Sequence, residues 1–478
     1  MAIAKTKADA EAKFQLAHKA GPGRRPKLFS RAIAAFTGLA FAAVQAGQAS
    51  AQQVSLIRDA ETEALIADYT APIFKAANVA SHNIKVHLIN DNSFNAFVIN
   101  GQHMFINTGA ITQSETPNQL IGVIAHETGH IKGGHNARLR EMMDKLQTAA
   151  LLLQVLSVGA MVGGAVSGSA DTAQAGTAMM FGGQQILTRS ILSYVRQQES
   201  AADRAAVEFL NASHQSPAGM LKVFRFFAEQ SVGAVRPDPY VLTHPMPQER
   251  IAQLQDIAQK SPYFTEKDTP QLQLRHDLVR AKIMAYTYEN NPQRILRQYS
   301  DNSLPSRYAR AIVAFHSSGY QTAAPVLNEL IAAQPQNPWF HELKGTFLLE
   351  SGNAKDAVAP LRKAVSLTPR SGYMRIELAQ AILESNAGSA EEALKMLRVA
   401  LVDEDQSYLG FRLESQAYGK LGRIPEADLA AALASFHKGD VKEAKMLAER
   451  AKNGLVQGSP LWLKADDIVA FKMEKVRG

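Results

Sequence analysis

Residues 117–134 read PNQLIGVIAHETGHIKGG, and within them His126 and His130 stand four apart. On a helix that spacing turns both imidazoles toward one point. The run after Pro117 is expected to be helical, to bury its back through Ile121, Val123 and Ile124, and to end at Gly133-Gly134. Two imidazoles on one face, with Glu127 beside them, are the parts of a zinc peptidase site. The histidines hold the ion, and Glu127 takes a proton from water as it attacks a peptide carbonyl. One zinc ion per chain is expected. Five residues alone carry a false-positive risk, which the helical setting lowers.

A third ligand is needed. The run HETGHIKGGHNAR nearly spells HExxHxxGxxH, with Gly133 in place, but residue 136 is Asn136 and His135 falls one position short. His135 is therefore expected at the helix end or in support of a ligand. The other solution is a carboxylate from a later helix. Glu199 stands 69 residues after His130 inside ESAAD, with Asp203 four residues on and thus on the same face. Such a pair can give one carboxylate to the metal while the second orients a ligand imidazole or binds an arginine. Downstream, THPMPQERI holds His244 before a proline. His244 can donate a hydrogen bond to the oxyanion or occupy the open zinc position, and Arg250 can pair with Asp203 or hold the loop.

Strands surround this helix. Residues 84–90 (IKVHLIN) alternate, and 94–99 (FNAFVI) and 102–107 (QHMFIN) flank Asn100-Gly101, a strong hairpin signal. Residues 55–80 and 186–211 carry helical periodicity. Residues 146–170 hold no charge, but glycines and polar residues interrupt their apolar part, 148–166. A buried helix or one touching a membrane surface is expected there rather than a crossing.

The N-terminus reads differently. Residues 1–51 hold eight basic and two acidic side chains, so nearly all of the net charge of +7 belongs there. The folded remainder therefore offers no electrostatic case for nucleic acid. Basic residues up to Arg31, an apolar run from Ala32 to Val44 and the small-residue site Ala49-Ser50-Ala51 are expected to form a cleavable secretory signal. The absence of cysteine excludes thiolate zinc sites, cysteine catalysis and disulfides.

Beyond residue 262 the chain repeats. Gly319, Gly352, Gly388 and Gly422 each precede an alanine, and Ala323, Ala357, Ala393 and Ala427 are spaced by 34, 36 and 34 residues. Pro335 and Pro369 close two units. A period near 34 matches tetratricopeptide helix pairs. The expected organisation is a signal at 1–51, a zinc peptidase domain at 52–262, a linker or degenerate first unit at 263–303, and repeats at 304–470, with a final helix at 436–453. The expected fold is mainly α with a small β-sheet, a gluzincin-type domain followed by an α-solenoid.

The ordered motifs NSFNAFVINGQHMFINTG, HETGH, ESAAD and THPMPQERI resemble the zinc peptidase family that includes the HtpX, CAAX-prenyl-peptidase and BepA groups. The resemblance implies His126, His130 and Glu199 as ligands and Glu127 as base, with Asp203, His244 and Arg250 in support. Signal plus repeats looks most like the BepA-type periplasmic members, which implies a periplasmic endopeptidase acting on unfolded or misassembled outer-membrane proteins. The repeats would recruit clients or the assembly machinery. The rival expectation is a chaperone or assembly factor whose peptidase is largely latent. Clients are expected to enter extended, as a strand beside the hairpin at Gly101.

Overall fold

The computed structural model describes residues 55–167, 170–231, 238–385 and 388–472. The expected signal segment 1–51 lies outside them.

A four-stranded sheet is built from β1 (Leu56–Ile57), β2 (Lys85–Ile89), β3 (Ala96–Ile99) and β4 (His103–Asn107), in the order β1-β2-β4-β3. β2 and β4 run parallel, and the other two pairings are antiparallel. Asn100 (φ 54°) and Gly101 (φ 69°) are both left-handed in the β3–β4 turn, where Gln102 donates to the Ile99 carbonyl, and Ile99 pairs with His103, so the loop is one residue longer than a two-residue hairpin. β3 is thereby left as a sheet edge.

The helix α1 (Ala60–Ala76) starts where Asp59 accepts the Thr62 amide. After the short α2 (Thr108–Gln113) comes α3 (Pro117–Gly133), with Pro117 in its first turn and Gly134 (φ 60°) as its left-handed cap. α3 is the central helix. Leu120, Val123, Ile124 and Ala125 are fully buried. Its flanks carry α5 (Ala170–Ala212) and α6 (Ala218–Ser231). The packing is close because two positions lack a side chain. A Cβ on Gly122 would lie 2.5 Å from Met220 Cβ, and one on Gly129 2.8 Å from the Ala202 carbonyl oxygen.

Between α3 and α5 lies α4 (His135–Ser167), which pairs with α5 as a long helical hairpin. Leu151, Leu152, Val155, Leu156 and Val158 of α4 are exposed. Among the described residues no helix is long and apolar enough to cross a membrane. Two helices follow, the short α7 (Pro239–Thr243) and α8 (Gln248–Gln259).

The remainder is helical pairs. α9 (Pro270–Thr287) and the short α10 (Pro292–Gln298) precede α11 (Leu304–Ser318) and α12 (Tyr320–Ala333). Next come α13 (Pro338–Glu350) with α14 (Ala354–Leu367), and α15 (Gly372–Ser385) with α16 (Ala390–Asp403). α17 (Tyr408–Lys420) with α18 (Ile424–Lys438) and α19 (Val441–Gly454) with α20 (Pro460–Ala470) complete the series. The repeating alanines Ala323, Ala357 and Ala393 are fully buried where the helices pack, as a small residue at a crossing should be. Gly319, Gly352 and Gly422 take left-handed φ values between paired helices. The single final helix expected at 436–453 is instead the end of α18 followed by α19, and α20 adds one more. Ser459 caps α20 by accepting the Trp462 amide.

One hydrophobic core runs from the sheet and α3 through Leu278, Ile283, Tyr308 and Phe340 to Phe347. At that junction Lys282 is fully buried, its Nζ 2.6 Å from Asp59 Oδ2 and 3.4 Å from Glu61 Oε2.

Candidate metal centre

Four buried side chains meet at the C-terminal half of α3. Donor atoms of His126, His130, Glu199 and His244 all lie within 4.8 Å of one another. His126 and His130 come from α3, and their Nε2 atoms are 3.0 Å apart. Glu199 enters from α5, with Oε2 3.4 Å from His126 Nε2 and Oε1 3.3 Å from His130 Nε2. Gly129 permits this approach, since any side chain there would push α5 outward. His244 follows α7, with Nδ1 3.4 Å from His126 Nε2 and 3.2 Å from Glu199 Oε2. Its other nitrogen, Nε2, is 3.4 Å from Glu127 Oε1.

Behind these donors sits a buried ionic frame. Asp203 Oδ1 is 2.9 Å from His126 Nδ1. Arg250 grips Asp203 in bidentate fashion, Nε to Oδ2 at 2.6 Å and Nη2 to Oδ1 at 2.7 Å. Its Nη1 lies 2.8 Å from Glu199 Oε2 and donates to the Pro245 carbonyl at 2.9 Å. Asp203 and Arg250 thus reach both the cluster and the His244 loop. His135 Nδ1 is 3.0 Å from His130 Nδ1, on the side away from the donors, so His135 backs His130 and is not one of the four.

The electrostatics follow from burial and these partners. Burial disfavours charge on His126, but hydrogen bonds with Asp203 and Glu199 outweigh it and lift His126 to about 9. Burial likewise opposes charge on Glu199, yet His244, His126 and Arg250 hold it well below the usual carboxylate range. Asp203 is also lowered, with Arg250 overcoming burial. Glu127 goes the other way, because burial raises it and the nearby histidines only partly offset this. His130 is pushed well below its ordinary value by burial and by His126.

Donors 2.0–2.1 Å from a tetrahedral zinc ion stand about 3.3 Å apart. The separations from His126 Nε2 to His130 Nε2, Glu199 and His244 Nδ1, and from Glu199 to His130 Nε2 and His244 Nδ1, are 3.0–3.4 Å and match that spacing, and the nitrogen and carboxylate donors suit zinc. His130, Glu199 and His244, with Glu127, form one wall of a cleft of about 460 Å³, which Phe97 and Val98 of β3, Asn136, Leu192, Tyr194 and Leu242 also line.

Residues 58–258 match the family model described as Peptidase family M48. This domain belongs to peptidase family M48. The chain is accordingly a metallopeptidase, a hydrolase of peptide bonds, and its cofactor is zinc. A relative in Escherichia coli (strain K12), described as beta-barrel assembly-enhancing protease, is 26% identical over 393 residues, spanning 80% of this chain and 77% of its own. One from Yersinia pestis with the same description is 26% identical over 363 residues, spanning 74% and 71%. A solved structure described as the crystal structure of MamA aligns over 31% of this chain and 84% of its own, at 19% identity and a TM-score of 0.26. That likeness is too low to bear on the fold.

Three residues of the M48 site escaped the sequence reading. Phe224 sets its ring perpendicular to that of His126 at 5.2 Å, and the Arg250 guanidinium lies 5.2 Å from its centroid. Tyr240 packs 4.7 Å from His244, and its buried hydroxyl finds no hydrogen-bond partner among the described residues. Both read in sequence as ordinary core residues. Asn136 donates to the Val98 carbonyl at 2.6 Å, and only its failure to be a histidine drew notice.

Proposed function

We propose that the chain is a periplasmic zinc endopeptidase that hydrolyses unfolded or misassembled outer-membrane β-barrel proteins. The observation that carries this reading is Glu127 beside the donor cluster, at the wall of a cleft that β3 borders as a sheet edge. An extended client adding to that edge would run past Glu127, which selects unfolded chains over folded ones. The descriptions of the relatives support the β-barrel client class, and the signal-like segment 1–51 supports the periplasm.

In this reading His126, His130 and Glu199 hold the zinc. A bound zinc ion supplies Lewis-acid polarisation of the scissile carbonyl and acidifies water. Glu127 accepts the proton of the attacking water and delivers it to the leaving amine, and its burial keeps it basic enough to do so. Asp203 and Arg250 keep the His126 ring in place. His244 stands at a fourth donor position in the resting state and withdraws when a client enters. The repeats recruit clients or the outer-membrane assembly machinery, and the exposed apolar face within 148–166 rests on a membrane surface.

The test is Glu127→Gln. Zinc content and folding should match the wild type, while cleavage of an unfolded β-barrel protein should fall about 10²–10⁴-fold. Undiminished cleavage would sink the mechanism. His244 at the fourth position also favours a second reading, an assembly factor with a latent peptidase. Normal β-barrel assembly in cells carrying only Glu127→Gln would select that one.

A further inference from the structure

The dipeptide His135-Asn136 belongs to no part of the mechanism above, yet both side chains are committed. Gly134 turns the chain left-handed out of α3. Gly133 leaves the space into which the next ring folds, for a Cβ there would lie 2.1 Å from His135 Nε2. So placed, His135 Nδ1 meets His130 Nδ1 at 3.0 Å with the rings at 86°. A nitrogen that binds a cation carries no proton. His130 Nε2 faces His126 and Glu199, so with a cation held there its ring proton would sit on Nδ1 and be donated to His135.

Asn136 faces the other way. In β3 the groups that bond to β4 belong to odd-numbered residues: Asn95 accepts the Asn107 amide and Ile99 accepts the Gln102 amide. Ala96 and Val98 therefore turn their N–H and C=O to the open edge. Asn136 Nδ2 donates to the Val98 carbonyl, one of the few groups an added strand can use, and leaves that oxygen its second lone pair. One turn further along α4, Arg140 Nη1 donates to Asn100 Oδ1 at 2.8 Å and ties the hairpin turn to the same helix face.

We propose that His135 and Asn136 are a positioning pair. Together they fix the height of the β3 edge against ligand His130, and so determine which peptide bond of an extended client faces Glu127. The inference rests on the reading that clients add to β3. A strand repeats its hydrogen-bonding phase every two residues, about 7 Å, so a loosened edge admits clients in neighbouring registers.

The test uses the full chain, an extended peptide of about twelve residues with one dominant cleavage site, and mass-spectrometric mapping of products. Asn136→Ala and Asn136→Asp both lack the amide donor. Each should keep zinc affinity within twofold, raise KM severalfold and spread cleavage to bonds two residues away. His135→Ala should weaken zinc about 10–100-fold in chelator competition. Gly133→Ala, which displaces the ring but keeps the imidazole, should do the same if His135→Ala fails to fold. A lower KM with unchanged sites in Asn136→Ala would make Asn136 a mere competitor for the edge and overturn the proposal. Unchanged zinc affinity in both the His135 and Gly133 variants would also overturn it. Peptides N-methylated at successive backbone nitrogens separate the two layers. If none slows the wild type, strand addition itself is wrong. If one does and Asn136→Ala still cuts a single bond, only the positioning pair is wrong.

Discussion

Replacing Arg250 by lysine preserves the charge and tests the frame. The guanidinium makes four contacts from three nitrogens: two to Asp203 at 2.6 and 2.7 Å, one to Glu199 at 2.8 Å and one to the Pro245 carbonyl at 2.9 Å. A lysine ammonium is a single point and cannot span Asp203, Glu199 and Pro245 at once. Hydrogen bonds to charged groups each contribute about 1.5–3 kcal/mol. Three lost contacts do not simply add, because they share one network. Removing one partner of a buried ion pair costs about 3–5 kcal/mol; because lysine keeps the charge, the loss expected here is smaller, about 1.5–3 kcal/mol. Against the 5–15 kcal/mol that usually holds a domain, the change is large. It should appear as a lower urea midpoint in far-UV circular dichroism. A second readout is independent of stability. Asp203 stands 2.9 Å from His126 Nδ1, and once it is freed from Arg250 the ligand ring is less well held. Zinc affinity should then drop about 10–100-fold in chelator competition. A midpoint shift worth less than about 1 kcal/mol, with zinc affinity within twofold of wild type, would refute the frame argument.

Glu199→Ala should lose most of the bound zinc in metal analysis of the folded protein, and full retention would show that the third ligand is misassigned. His244→Ala should cleave an unfolded client faster, because His244 Nδ1 stands among the donors at 3.2–3.4 Å; a slower rate would assign it to the oxyanion instead. Glu377, on α15, is pushed up to about 8 by burial and by Glu342, from an ordinary 4.5. The folded chain thus keeps a proton that the unfolded chain releases. That stabilising share is whole below about 4.5 and is lost as pH rises through about 8. Glu377→Gln should melt with the wild type near pH 5 and above it at pH 8, and parallel melts at both pH values would show that Glu377 is not buried as an acid.

The elements read most easily were those whose signal is short-range. His126 and His130 are four residues apart on one helix, so spacing alone places both rings. Asn100-Gly101 names its own turn, and the alanines of the repeats mark their own crossings. Glu199 lies far from HETGH but brings Asp203 at helical spacing, and that local pair made it visible. The residues that stayed hidden depend on distant partners. Lys282 is a solvated base to any local reading, yet it is buried between Asp59 and Glu61, more than two hundred residues earlier in the chain. Phe224 acts through a ring on α3 and a guanidinium on α8, and neither leaves a trace in its own neighbourhood. Asn136 needs the sheet edge to be known before its amide has a meaning.

The four donors differ in how firmly the fold holds them. His126, His130 and Glu199 stand on α3 and α5, which are locked by the close approach at Gly129 and by the core behind them. To move any of these would disturb that core. His244 caps the five-residue α7, where its amide bonds to the Tyr240 carbonyl and Arg250 holds the adjoining Pro245 carbonyl. Releasing its side chain breaks the contacts to Glu199 and Glu127, worth about one charge-assisted hydrogen bond or 1.5–3 kcal/mol, without opening the core. That lies within reach of the binding energy of a strand added along β3. Arg250 belongs to both sides of this division, because the same guanidinium orients Asp203 behind a fixed ligand and restrains the loop of the movable one. A client that draws His244 away therefore need not loosen the zinc, since the Asp203 contacts of Arg250 remain when its bond to Pro245 is gone.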